Sequence, residues 1–100
     1  MAIAEVSVVP IGTAGTSVSS FVAGALQVLE ESGLTYQLTP MGTIIEGDIG
    51  EILDVIRKMH ETPFAKHAQR VYTTVKIDDR RDKVAIQMGD KVALVKKKLE

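Results

Sequence analysis

Apolar and polar residues alternate at the start of the chain. Ala2, Ala4, Val6 and Val8 fall on one side and Ile3, Glu5, Ser7 and Val9 on the other, which predicts a strand over 2–10 with both faces largely buried. After the loop that holds Gly12 and Gly15, the period lengthens. Ser17 is a good helix N-cap, and Val18, Phe21, Val22, Ala25, Leu26 and Leu29 recur at helical spacing until Gly33, where a left-handed residue would end the helix. Alternation returns over 34–38, and a further strand segment follows over 43–46. Pro40, Met41 and Gly42 lie between, giving either two strands joined by a turn or one strand with a bend. Asp48 followed by Glu51 has the spacing of a capping box, and Ile49, Ile52, Leu53, Ile56 and Met59 form the stripe of a second helix. Pro63 should end or kink that helix, leaving 64–67 as a short extra turn. The last clear strand covers 70–78, with Val71, Thr73, Val75 and Ile77 on one face and a polar set on the other. Beyond a charged turn, Met88, Val92, Val95 and Leu99 predict a short third helix, with Lys96 to Lys98 at its C-terminal end, where cations suit the helix dipole.

The order β-α-β-β-α-β-α predicts an α+β fold: a ferredoxin-like βαββαβ sandwich with an extra C-terminal helix, mainly antiparallel, forming a single domain over 1–100. Two helices can cover only one face of such a sheet. If the more apolar strand faces meet the helices, then Glu5, Ser7, Gln37, Thr39, Tyr72, Thr74 and Lys76 share the other face with Ile3 and Val9. A fully solvated face would not need the two apolar residues, and an unrelieved apolar face would aggregate. A homo-oligomer whose sheet faces meet around a polar pocket explains both.

Composition narrows the functional classes. Apolar residues make up 45% and charged residues 25% of the chain, the balance of an ordinary globular domain. The net charge of −1 gives no basic field for phosphate backbones, so nucleic acid is not an expected partner. Cysteine is absent, which removes disulfides, thiolate metal sites and thiol catalysis, and favours the cytoplasm. The first residues have no basic segment and meet an acid at Glu5, so neither a signal peptide nor a membrane span is expected.

Each candidate chemical motif has a plainer explanation. Gly12 and Gly15 before Ser17, Ser19 and Ser20 could cradle a phosphate, but a Walker ending is missing and a turn with an N-cap accounts for them. His60 and His67 are separated by Pro63, which breaks the helix that would align them, so no metal site is expected. His60 fits the edge of the helix stripe and His67 a solvated turn. Glu30 with Glu31, and Asp78 with Asp79, are neighbours that point in different directions. No catalytic residues are assigned, because neither histidine has an evident orienting acid.

Four segments together carry a resemblance to a known group. They are 17–23 (Ser-Val-Ser-Ser-Phe-Val-Ala), 32–36 (Ser-Gly-Leu-Thr-Tyr), 39–47 (Thr-Pro-Met-Gly-Thr-Ile-Ile-Glu-Gly) and 70–80, which opens with Arg70 and Val71. The chain resembles the small thiamine-binding protein family, related to the longer YkoF-type thiamine-binding proteins. The resemblance covers nearly the whole chain and is most specific around Pro40 to Thr43 and Lys76 to Asp78. It implies a ferredoxin-like subunit and dimers assembled into tetramers. It also implies binding of thiamine or its hydroxymethylpyrimidine moiety near subunit contacts, with no cofactor and no catalytic activity. An aminopyrimidine needs acceptors for its exocyclic amine, a hydroxyl or backbone donor, and an apolar wall. Glu5, Ser7, Thr39, Thr43 and Glu46 would supply the polar part, and Met41 or Tyr72 the wall. Gly42 in the interrupted strand would offer backbone groups, and Thr74 shares the sheet face. The competing expectation is an interaction module whose open face serves only assembly.

Overall fold

The computed structural model describes residues 1–12, 19–82 and 95–96. The elements run β1 (Ala2–Ile11), α1 (Ser19–Ser32), β2 (Thr35–Thr39), β3 (Gly42–Gly47), α2 (Ile49–Ala65) and β4 (Arg70–Asp79). One sheet holds the strands in the order β2-β3-β1-β4, and every neighbouring pair is antiparallel. This is the ferredoxin-like arrangement, since each helix connects strands separated by one other. The expected Ser17 cap lies outside the described residues, as does the third helix apart from Val95 and Lys96.

β1 lies inside the sheet, and its even-numbered residues face the helices. Ala2 and Ala4 are small enough to let α2 lie close above them, and with Val6 they are buried beside Ile45, Leu29 and Ile52. The helix-facing side is therefore the core, whereas the odd-numbered residues of β1 are only half-buried or exposed. The expectation that both faces would be largely buried holds for one face only.

α2 starts where the sequence places it. The Asp48 carboxylate accepts the Gly50 N–H at 3.0 Å and the Glu51 N–H at 3.4 Å, satisfying two amides that lack partners in a first turn. The buried stripe is Ile52, Val55, Ile56, Met59 and Pro63. Leu53, expected in the stripe, is 47% exposed, and Val55 takes the inward place. Pro63 does not stop the helix, which continues to Ala65. Its ring removes the N–H that would bond to the Met59 carbonyl, and the Thr62 hydroxyl donates to that carbonyl instead at 2.8 Å. His67 then adopts a left-handed conformation, φ 73°, with its N–H on Phe64 O and the Ala68 N–H on Pro63 O. Gly33 ends α1 in the expected way, at φ 75°.

The interruption at 40–41 is a turn between two strands. The Thr39 hydroxyl donates to Gly42 O at 2.8 Å and accepts the Gly42 N–H at 3.1 Å, closing the hairpin around Pro40 and Met41. His60, half-buried on α2, has Nδ1 2.7 Å from the Thr73 hydroxyl and its ring edge-on to Phe64, which ties α2 to β4.

Candidate functional site

The strand register separates the residues expected to share one site. Glu5 lies opposite Ile44 on one side and Lys76 on the other. Ser7 lies opposite Thr74, Val9 opposite Tyr72, and Ile3 opposite Glu46 and Asp78. All of these share the open face of the sheet. Thr43 pairs with Val6 and Leu38, so it faces the helices instead. A single pocket using the side chains of both Glu5 and Thr43 within one subunit is therefore excluded by the pleat.

On the helix side a cleft of 270 Å³ opens between the first turns of α1, the outer half of β1 and the β2–β3 hairpin. Ser7, Thr39, Met41, Gly42 and Thr43 border it, whereas Glu5, Glu46, Tyr72 and Thr74 do not. Its walls are carbon: Val6, Val8, Phe21, Ala25, Leu38 and Pro63. Among the described residues no charged side chain lines it. The polar group deepest in this lining is Thr43, 9% exposed, whose hydroxyl has no hydrogen-bond partner among the described residues. The Thr39 hydroxyl, by contrast, is engaged in the turn, so its role is to shape the hairpin. Met41 is 82% exposed at the hairpin tip and stands at the mouth.

This cleft follows from how α1 packs. Among the described residues of that helix, only Ala25 and Leu29 are buried. Phe21 and Leu26 are half-buried, and Val22 is 46% exposed. Among the described residues, none fills the space beneath Phe21 and Val22. Lys66 spans the helices from outside. Its ammonium lies over Gly24, where a Cβ would approach to 3.2 Å, and donates to Ser20 O at 2.5 Å.

On the open face Glu5 and Lys76 form a loose ion pair, 4.0 Å apart, with side chains 40% and 78% exposed. Glu5 also lies over Gly42, where an added Cβ would come within 3.4 Å of its Cγ and 3.0 Å of Val6 O. Glycine is thus needed where hairpin and central strand approach. Glu46 is only 9% exposed, so its carboxylate has little access to a guest on that face. Tyr72 is 61% exposed and presents its ring to solvent. Sequence reasoning singled out the hairpin but missed Val8, Phe21, Leu38 and Pro63 as cleft walls. Their apolar character reads as ordinary core, and only the three-dimensional gap separates the two roles.

These features define a class, a ferredoxin-like α+β sandwich whose helical side holds a cleft lined by no charged side chain among the described residues, and whose other sheet face is covered by no described helix. The model of the thiamine-binding protein family matches residues 4–96, and the chain belongs to that family. The UPF0045 protein YqgV of Bacillus subtilis is 46% identical over 104 residues, covering 100% of this chain and 99% of the relative. The crystal structure of protein MJ1052 from Methanocaldococcus jannaschii superposes with a TM-score of 0.84 at 36% identity, covering 95% of each chain. A Thermotoga maritima protein described as acting in thiamine biosynthesis or salvage superposes with a TM-score of 0.77 over 94% of this chain and 97% of its own; at 21% identity this likeness concerns the fold alone. No helix among the described residues is long and apolar enough to cross a membrane.

Proposed function

We propose that the chain binds a thiamine-like aminopyrimidine without transforming it, as a carrier, buffer or sensor that works as a homo-oligomer in the cytoplasm. The observation that carries this reading is the cleft beside the hairpin. It is concave and apolar, and Thr43 in its lining, 9% exposed as a residue, has an accessible hydroxyl that makes no hydrogen bond among the described residues. A flat heteroaromatic ring can lie against Phe21 and Val8 while a ring nitrogen or exocyclic amine reaches Thr43. The uncharged lining suits the pyrimidine better than the cationic thiazolium or a phosphate, which would stay at the mouth near Met41. Membership of a family named for thiamine binding supports the same ligand class.

A second reading keeps the ligand on the open sheet face between subunits, with Glu5 and Thr74 as polar contacts and Tyr72 as wall. The exposure of Tyr72 and the accessible Glu5 carboxylate favour it. Calorimetric titration with thiamine and with hydroxymethylpyrimidine separates the two. Thr43→Val removes one hydroxyl at nearly constant volume and should weaken a cleft ligand roughly 5- to 10-fold, with Glu5→Gln near wild type. The reverse pattern selects the sheet face. No heat with either compound at millimolar concentration sinks both.

A further inference from the structure

Among the described residues, α1 packs mainly on α2 rather than on the sheet beneath it. Ala25 and Leu29, both buried, seat its middle and end, but its first turns carry Phe21, half-buried, and Val22, 46% exposed. Apolar packing therefore does not fix how far those turns stand from α2. That distance is the width of the cleft, which Phe21 and Val22 border from α1 and Met59 and Pro63 border from α2.

A polar tie stands where the packing is weak. The Lys66 ammonium donates to Ser20 O at 2.5 Å, linking the residue before Phe21 to the cap that ends α2 just beyond Pro63. The lysine reaches that carbonyl across Gly24, where a Cβ would meet Lys66 Nζ at 3.2 Å, Lys66 Cε at 3.4 Å and Thr62 Cβ at 3.8 Å. Glycine weakens a helix interior relative to alanine, and here its bare Cα lets α1 come close to Thr62 and leaves room for the lysine stem. Lys66 does not line the cleft and forms no ion pair among the described residues, so its hydrogen bond to α1 is not in competition with a carboxylate there. We infer that Lys66 is a positioning residue: without touching the guest, it holds the first turns of α1 at a fixed distance from α2, and so sets the width of the cleft and its affinity for a flat ring. The effect on affinity rests on the cleft being the ligand site, as proposed above; the effect on α1 does not.

Two measurements test the two halves separately. Hydrogen exchange on the ligand-free protein reads the helix: Lys66→Met keeps the stem and removes the donor, and should speed exchange of the Ala23 to Ala25 amides roughly two- to fivefold relative to those at the end of α1. Lys66→Arg, which keeps a cationic donor, should restore the slower rates. Calorimetric titration with hydroxymethylpyrimidine reads the cleft: Lys66→Met should bind roughly two- to fivefold more weakly, because the binding-competent arrangement is less populated. Lys66→Arg should stay near wild type, and so should Asp48→Ala, which loosens α2 at its opposite end. A covalent tie gives the strictest check. The chain has no cysteine, and the 3.8 Å between the Cβ positions at 24 and 62 suits a disulfide. Gly24→Cys with Thr62→Cys in the Lys66→Met background should regain the lost affinity when oxidised and lose it again on reduction. Unchanged exchange in Lys66→Met would overturn the inference outright. Wild-type affinity in Lys66→Met, an equal loss in Asp48→Ala, or a closed disulfide that fails to restore binding would overturn its affinity half. A wild type that takes up no hydroxymethylpyrimidine would instead sink the cleft as the ligand site, and the exchange rates, which need no ligand, would still decide whether Lys66 holds α1.

Discussion

The two helices lie side by side on the same sheet and pack very differently. α2 buries five residues in one continuous stripe, whereas α1 buries two and leaves Val22 in solvent, with a cleft beneath its first turns. A well-filled interior resists any guest, because close packing leaves no volume for one. Under the proposed function, stability and reception fall largely to different parts of a small domain: α2 with β1 and β3 forms the filled core, and α1 with the hairpin borders the cleft.

Mutation can break this contrast directly. Ile52 on the inner face of α2 is fully buried, and Ile52→Ala should destabilise the fold by roughly 2–5 kcal/mol through lost burial and an unfilled cavity. The matching truncation on α1, Val22→Ala, should stay within about 0.5 kcal/mol. Chemical denaturation of the two variants measures both, and equal losses would mean that the halves are not distinct. Asp48→Ala removes the side chain that accepts two first-turn amides and should cost about 1 kcal/mol, read by the same method and without change in ligand affinity.

The smallest effect concerns the exposed face of α2. Hydrogen bonds from Arg57 and Lys58 hold the Asp54 carboxyl below its ordinary value of 3.8. A lowered folded-state pKa stabilises above the unfolded value and loses that contribution as the pH falls through the folded value. Wild type and Asp54→Asn should therefore differ slightly in melting temperature at pH 6 and converge as the pH drops below 3.8. High salt should shrink the difference, since both partners are exposed.

Much of the fold was legible from local chemistry. Alternation located β1 and β4, Asp48 marked the start of α2, and Gly33 marked the end of α1, because each signal arises within a few residues of where it acts. The failures have a common cause. Leu53 and Val55 compete for the inward direction, and the sheet, not the spacing, decides between them. Pro63 should break a helix, and its tolerance depends on a neighbouring hydroxyl taking over one carbonyl. The candidate site was legible as a hairpin with polar groups, yet its residues divide between two faces. Thr43 and Glu5 differ in outlook only through the pairing of β1 with β3, which no single segment encodes.

The proline near the end of α2 has a consequence for recognition. Pro63 carries no amide hydrogen, and the carbonyl it would otherwise have left open is already satisfied by Thr62, so the helical wall of the cleft is chemically mute at that point. Conversation with a guest is left to the opposite wall, where Thr43 and the hairpin backbone stand. Under the proposed function, a molecule with one hydrophilic rim and one greasy rim would enter this cleft with the hydrophilic rim toward Thr43.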